Sequence, residues 1–175
     1  MLSDGREATL RAPTWHDLDG HVSFVNELVE EGAELYISAR VSRDEEADWL
    51  GSRLAGIERG GILVALMAEG GGRMVANSEV HVQTPGFSEM GHLGGLGIAV
   101  LRNWRRIGLG TSLMNALFEL AKEAGFSIVV LDVFATNKIA RDLHEKVGFV
   151  ETGKIPKAVY RNGNYIDLVR MTKEL

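Results

Sequence analysis

The sequence predicts one α/β domain over residues 1–175, built on a mixed, mostly antiparallel sheet of six to seven strands flanked by about four helices. Three observations lead there. Short apolar runs bounded by glycine clusters follow one another through the middle of the chain, two amphipathic helical stretches precede them, and the C-terminal third switches between helical and strand periodicity. There is no internal repeat, linker or low-complexity tract. A chain of 175 residues fits the usual allowance of about 150 residues per domain.

The elements follow in order. Glu7–Ala12 reads as a first strand. Trp15, Leu18, Val22, Val25 and Leu28 recur at three and four residues, which places them on one helical face. Ser42, with Glu45 three residues later, offers a capping box ahead of Trp49, Leu50, Leu54 and Ile57. Gly60-Gly61 and Gly70-Gly71-Gly72 bracket an apolar strand over Ile62–Glu69, and Met74–Val82 is its hairpin partner. Leu93–Val100 is uncharged and glycine-rich, the pattern of a central strand that something approaches at its backbone. Leu113, Met114, Leu117, Leu120 and Ala121 form a helical stripe that ends at Gly125. Ile128–Phe134 is a buried strand in character. Asn137–Val147 is a short helix, and Phe149–Tyr160 and Tyr165–Thr172 flank an Asn162-Gly163 hairpin turn. The resulting order is βαα, three strands, then αβαββ.

Composition narrows the function classes. Cysteine is absent, which removes disulfides, thiolate metal sites and a cysteine nucleophile. No His/Asp/Glu cluster has metal-ligand spacing, so no metal is expected. The net charge of −5 disfavours a broad nucleic-acid surface. No apolar run reaches the ~20 residues of a membrane span, and Met1–Leu10 carries neither a basic leader nor an apolar segment, so the expected location is cytoplasmic.

The informative segment runs from Ile98 to Thr111, where an apolar strand enters a basic turn, then Gly108-Leu109-Gly110, then an amphipathic helix. The first turn of a helix leaves about four N–H groups unpaired and carries about half a positive charge. Two glycines there allow a phosphate to approach the backbone, and Arg102, Arg105 and Arg106 add charge. The alternative is a tight turn with solvated arginines. A Walker A loop is ruled out because no Gly-Lys-Ser or Gly-Lys-Thr occurs, and a dinucleotide fingerprint fails because Leu113 stands where its third glycine belongs.

These residues resemble the GNAT superfamily of N-acetyltransferases. Arg105-Arg106-Ile107-Gly108-Leu109-Gly110 fits its Arg/Gln-x-x-Gly-x-Gly/Ala signature. Asn137, Ala140, Leu143, Gly148 and Phe149 fit its second block, in which His144 stands at the position usually held by Tyr. The resemblance covers residues 60–173, and the tail from Lys157 to Met171 is similar to the amino-acid and RimJ/RimL-like branches. It implies acetyl-CoA as acetyl donor in a sheet splayed between strands 4 and 5, with Leu93–Val100 and Ile128–Phe134 as the walls of the slot. The pyrophosphate would sit on backbone N–H groups from Arg106 through Ile107, Gly108, Leu109 and Gly110 to Thr111, with Arg105 adding charge beside the turn. The pantetheine would add along Ile98 and Val100 as an extra strand, and an N–H near Ile98 would serve the acetyl oxygen. Asn137 would touch the pantetheine arm, cap its own helix, or both.

The resemblance also implies an acid and a base. His144 would replace the family's tyrosine in protonating the thiolate, or simply pack on its helix. Glu79, His81 and His92 are the candidate bases for the amine, Glu79 and His81 sharing one strand face because their spacing is two. The reading of that pair without chemistry is an outward polar face. His16 and His21 read as helix-surface residues. Glu27, Glu30, Glu31 and Glu34 form either a solvated acidic face or a lure for a cationic amine. The expected reaction is direct transfer to the primary amine of a small molecule, such as an amino acid or a polyamine. Alternatives are a protein N-terminus or lysine as acceptor, and a non-catalytic acyl-CoA sensor. Association as a homodimer is left open.

Overall fold

The structure, a computed structural model, describes residues 1–58 and 63–175; the expected Gly60-Gly61 turn and the start of its strand at Ile62 lie outside the described residues. A seven-stranded sheet runs in the order β1-β2-β3-β4-β5-β7-β6. Its strands are β1 (Thr9–Arg11), β2 (Leu63–Gly70), β3 (Arg73–Val82), β4 (Leu93–Val100), β5 (Ile128–Phe134), β6 (Val150–Arg161) and β7 (Asn164–Glu174). Every neighbouring pair is antiparallel except β4–β5. The helices are α1 (Leu18–Glu30), α2 (Arg43–Glu58), α3 (Leu109–Glu123) and α4 (Lys138–Lys146). Among the described residues no helix is long and apolar enough to cross a membrane.

Local chemistry explains most boundaries. Ser42 Oγ accepts from Glu45 N–H while the Glu45 carboxylate accepts from Ser42 N–H, the reciprocal capping expected of that pair. Asn137 Oδ1 accepts from Ala140 N–H at 3.1 Å and opens α4. Asn162 and Gly163 both hold positive φ, 52° and 79°, as a two-residue hairpin requires. The first helix differs from its expected form. Trp15–Asp17 make a 3-10 turn before α1 begins, because the Asp17 carboxylate accepts from Thr14 N–H and from the Arg11 guanidinium. That pairing with Arg11 holds the Asp17 carboxyl down at about 2.

The side-chain alternation of β3 sorts the helices between two faces. Odd positions face α1 and α2, since Arg73 pairs with Glu27 and Glu79 with Arg53. Even positions face α3, whose Gly110 approaches Val100 across β4. The fully buried Leu113, Met114, Leu117 and Ala121 of α3 share a core with Ala76 and Val80 of β3 and Val129 of β5. Gly94 explains why β4 is rich in glycine. A Cβ there would run into Val80 Cγ1 and come within 3.0 Å of the Phe126 ring. Gly94→Ala is therefore expected to lower stability by about 1–3 kcal/mol through overpacking, read as a drop in the urea midpoint at unchanged slope.

Candidate active site

Two strands that stop pairing create the site. β4 and β5 are in register only at Leu93–Ile128, Gly94–Val129 and Gly95–Val130; beyond that the strands part. The odd positions of β4 bond to β3, as Leu101 N–H does to Val75 O and Gln83 N–H to Leu93 O. The even positions therefore turn their N–H and C=O groups the other way, so Leu96 and Ile98 offer both to the gap. The gap widens into a cleft of about 1270 Å³ that reaches Gly108 and Gly110 at one end and Asn164 and Tyr165 at the other.

The turn before α3 is shaped by left-handed backbone at two residues. Arg106 has φ 62° and Gly108 φ 92°, a conformation that costs an ordinary side chain about 1–2 kcal/mol and glycine almost nothing. A Cβ on Gly108 would project into open space. Ser112 N–H is bonded to Gly108 O, so Leu109, Gly110 and Thr111 keep free N–H groups at the positive end of α3. Of the seven residues from Arg105 to Thr111, Ile107 and Leu109 do not line the cleft. Ile107 O accepts from Ser3 N–H, and Leu109 is core.

The arginines are divided in a way the sequence did not disclose. Arg105 donates from Nε to Val100 O at 2.7 Å and from its other end to the Glu31 carboxylate at 2.7 Å. Arg102 donates to the Glu31 carbonyl oxygen through its guanidinium and to the Glu31 carboxylate through its backbone N–H. Both are committed to the end of α1, and the Val100 carbonyl expected to meet a ligand is taken by Arg105. Arg106 is exposed and makes no ion pair among the described residues. The acidic run of α1 is likewise engaged: Glu27 pairs with Arg73, Glu30 with Arg40, Glu31 with Arg105, and Glu34 accepts from Thr136.

His144 lines the cleft from α4 and is 3 % exposed, edge-on to Phe149 at 5.7 Å. Burial pushes its imidazole down to about 4, so the ring is neutral at pH 7. The expected imidazolium acid is corrected on that ground. Its Nδ1 is buried without a partner, which leaves the other ring nitrogen to meet the cleft.

The candidate bases separate. His92 is exposed at the start of β4, on the side where β4 and β5 are still paired, and does not line the cleft; it is removed from the set. Glu79 is 8 % exposed rather than on an outward face and also does not line the cleft. Burial alone would raise its carboxyl, but the His81 ring and the Arg53 guanidinium outweigh that and hold it below the ordinary carboxylate value. Arg53 grips it with two bonds of 2.9 and 3.0 Å. His81 does line the cleft. His21 is corrected too: it is 2 % exposed, bonded through Nδ1 to the buried Glu46 at 3.1 Å and stacked on Trp49.

Sequence reasoning did not find Tyr36, Asp132 or Arg161. Tyr36 packs on Phe134, and burial raises its phenol. Asp132 is paired with Arg170 at 2.8 Å. Arg161 lines the cleft, donates to Ala33 O at 2.9 Å and has no carboxylate partner among the described residues. Its place immediately before the Asn162-Gly163 hairpin signal was the one local hint of Arg161. Among the described residues no group of three or more His, Asp or Glu is placed to hold a metal ion.

Comparison with known proteins accords with this geometry. An L-amino acid N-acyltransferase of Escherichia coli, MnaT, is 31 % identical over 68 residues, a match that takes in 39 % of this chain and 40 % of the relative's length. A solved ribosomal-protein-alanine N-acetyltransferase from Brucella melitensis is 28 % identical with a TM-score of 0.83, covering 95 % of this chain and 99 % of that one. The acetyltransferase yncA of Salmonella typhimurium, solved with its cofactor acetyl-CoA, is 21 % identical with a TM-score of 0.82, covering 95 % and 93 %. The acetyltransferase (GNAT) family profile matches residues 23–149, most of the chain, and with the splayed β4–β5 pair and the glycine turn ahead of α3 this chain belongs to the GNAT family.

Proposed function

We propose that the chain is an acetyl-CoA-dependent N-acetyltransferase that acetylates the primary amine of an amino-acid-like small molecule by direct attack in a ternary complex. The observation that carries this is the slot between β4 and β5, open from Gly95 and Val130 onward and leading to the N-terminus of α3. Its dimensions and donors fit acetyl-CoA: a turn with open space above Gly108 for a pyrophosphate, free N–H groups at Leu109, Gly110 and Thr111, and a strand edge at Leu96 and Ile98 for the amides of a pantetheine. Acetyl-CoA, when bound, supplies an activated thioester carbonyl.

The chain's own residues would do the rest. Arg106 and the α3 N–H groups bind phosphate, while Arg105 braces the end of β4 through Val100 O instead of meeting the ligand. Ile98 N–H is the oxyanion donor. Asn137 keeps α4 in place through its cap, with its remaining amide group free for the slot. His144, neutral, donates a hydrogen bond to the departing sulfur instead of transferring a proton to it, and solvent supplies that proton.

Two features favour an amino acid over a polyamine. The α1 carboxylates that would draw a polycation are occupied by Arg73, Arg40, Arg105 and Thr136. Arg161 brings to the cleft a guanidinium with no carboxylate partner among the described residues, the partner an acceptor carboxylate needs. The similarity to an L-amino acid N-acyltransferase points the same way; the likeness to a ribosomal-protein-alanine N-acetyltransferase keeps a protein N-terminus as the second reading. Thiol release from acetyl-CoA over L-amino acids, their carboxamides, polyamines and peptides tests this. Turnover of free amino acids and not of carboxamides is expected; turnover of peptides alone would favour the second reading, and acetyl-CoA binding with no thiol release from any amine would indicate a sensor.

Gly108→Val is expected to abolish acetyl-CoA binding in calorimetry while the protein stays folded by circular dichroism, because its side chain both fills the space above the turn and resists φ near +92°. Unchanged affinity in the folded variant would place the donor elsewhere.

His144 gives a pH-dependent expectation. Its folded-state value of about 4 lies below the ordinary 6.5, so the neutral ring is favoured in the native state. Its contribution is fully present above pH 6.5 and is lost as pH falls towards 4, by up to about 3 kcal/mol. Urea midpoints of His144→Phe should therefore fall less steeply than wild type between pH 6.5 and 4. The same variant should lose about tenfold in kcat, the worth of one hydrogen bond. Wild type should show no basic limb that His144→Phe removes; such a limb would restore the imidazolium acid.

A further inference from the structure

The cleft receives a second histidine, from the opposite face of the sheet to His144. We propose that His81 is the general base that takes the proton from the acceptor amine, with Glu79 as its positioning residue; this deepens the acetyltransferase reading above and rests on it. His81 lies directly across from Gly95 in the β3–β4 ladder. Its Nε2 and Cε1 stand 3.0 and 3.2 Å from where a Gly95 Cβ would be. The ring thus lies across the last residue at which β4 still pairs with β5, at the mouth of the slot.

The two ends of the ring have different surroundings. Nδ1 is buried without a hydrogen-bond partner, and the nearest carboxylate oxygen, Glu79 Oε1, is 3.4 Å from it. The His81 side chain as a whole is 43 % exposed against 10 % for Glu79, so the far edge of the ring is the one open to the cleft. The groups around it have few other roles to offer. β4 contributes Gly95 and Gly97, which carry no side chain, Gln83 just after β3 lies near Gly95, and α2 adds Arg53 behind Glu79. Arg53 itself sits over the Trp49 ring at 5.0 Å. Glu79 cannot serve the amine directly, because it is outside the cleft and both of its oxygens are gripped by Arg53. Held as a carboxylate, it can only accept. Its negative charge, 3.4 Å from Nδ1, favours the ring tautomer with hydrogen on Nδ1, which leaves Nε2 a bare acceptor, the arrangement a base needs.

The proton balance is simple. As the amine nitrogen bonds to the acetyl carbon, Nε2 takes one hydrogen from that nitrogen as a proton. The carbon–sulfur bond breaks with its electron pair on sulfur, and the sulfur takes one proton from solvent. Nε2 returns its proton to solvent, so one hydrogen has passed from nitrogen to sulfur and the enzyme is unchanged.

The test reads the tautomer first, on the full chain without ligand. ¹⁵N-resolved NMR of the His81 ring, at a pH where it is neutral, should find hydrogen on Nδ1 in wild type. In Glu79→Gln, Arg53 has only donors and takes the amide oxygen, so the amide NH₂ faces Nδ1 and the hydrogen should move to Nε2. With acetyl-CoA and the best acceptor from the L-amino acid panel, Glu79→Gln and His81→Gln should each lose roughly 10²-fold in kcat/KM. Acetyl-CoA affinity by calorimetry should stay close to wild type in both, as should the melting temperature of His81→Gln, while Glu79→Gln stays folded by circular dichroism but melts lower because Arg53 loses its ion-pair partner. Hydrogen on Nε2 in wild type, or wild-type kinetics in folded His81→Gln, would overturn the proposal. Failure of the acetyltransferase reading itself would appear separately, as wild-type protein that does not bind acetyl-CoA whatever the tautomer.

Discussion

The three-residue pairing between β4 and β5 is the constraint on which the rest of this molecule depends. A strand edge in the middle of a sheet is costly, because its N–H and C=O groups lose water without gaining partners. Here the edge at Leu96 and Ile98 is left open inside the domain, and the architecture arranges itself around that gap. β7 pairs with β5 along its full length and so holds the far wall. β3 pairs with β4 from Ala76–Val100 to Val82–Gly94 and holds the near one. With both walls fixed from outside, a ligand that completes the ladder finds its partners already aligned, and little ordering remains to oppose binding.

The helices close the ends of the same gap with different chemistry. α3 presents the positive end of its backbone at one extremity, while the connection after α1 and the β6–β7 hairpin meet at the other through Arg161 and Ala33. Across the sheet, His144 and His81 reach the slot from opposite faces, one buried against Phe149 and held neutral, the other tethered beside a carboxylate. One residue type is thereby given two environments, and the environments set what each can do.

How much of this was legible in the sequence depends on the range of the interaction involved. Ser42 with Glu45, Asn137 with Ala140, and the Asn162-Gly163 turn are contacts within three residues, and their residue types alone placed the boundaries of α2, α4 and the hairpin. The glycine turn was readable for the same reason, since its φ values are a local demand. The Arg105–Glu31 and Arg53–Glu79 pairs join residues 74 and 26 positions apart, and periodicity says which face a residue occupies but not which residue it meets there. His21 shows the limit well. Its position on α1 was clear, yet its burial came from Glu46 and Trp49 on a second helix. His144 was placed by its register in a motif, whereas its lowered basicity came from the closeness of its burial, which no spacing encodes.

Glu31 has a consequence for how two ligands act on each other. Its carboxylate holds Arg102 N–H and the Arg105 guanidinium, so the end of α1 and the loop ahead of α3 are joined through one side chain. Any free energy that a ligand at one end spends or gains in shifting that carboxylate is felt at the other. Thermodynamic reciprocity then requires a second ligand to alter the affinity for the first by the same factor. The two ends of the cleft are thus coupled through a single glutamate side chain on its wall.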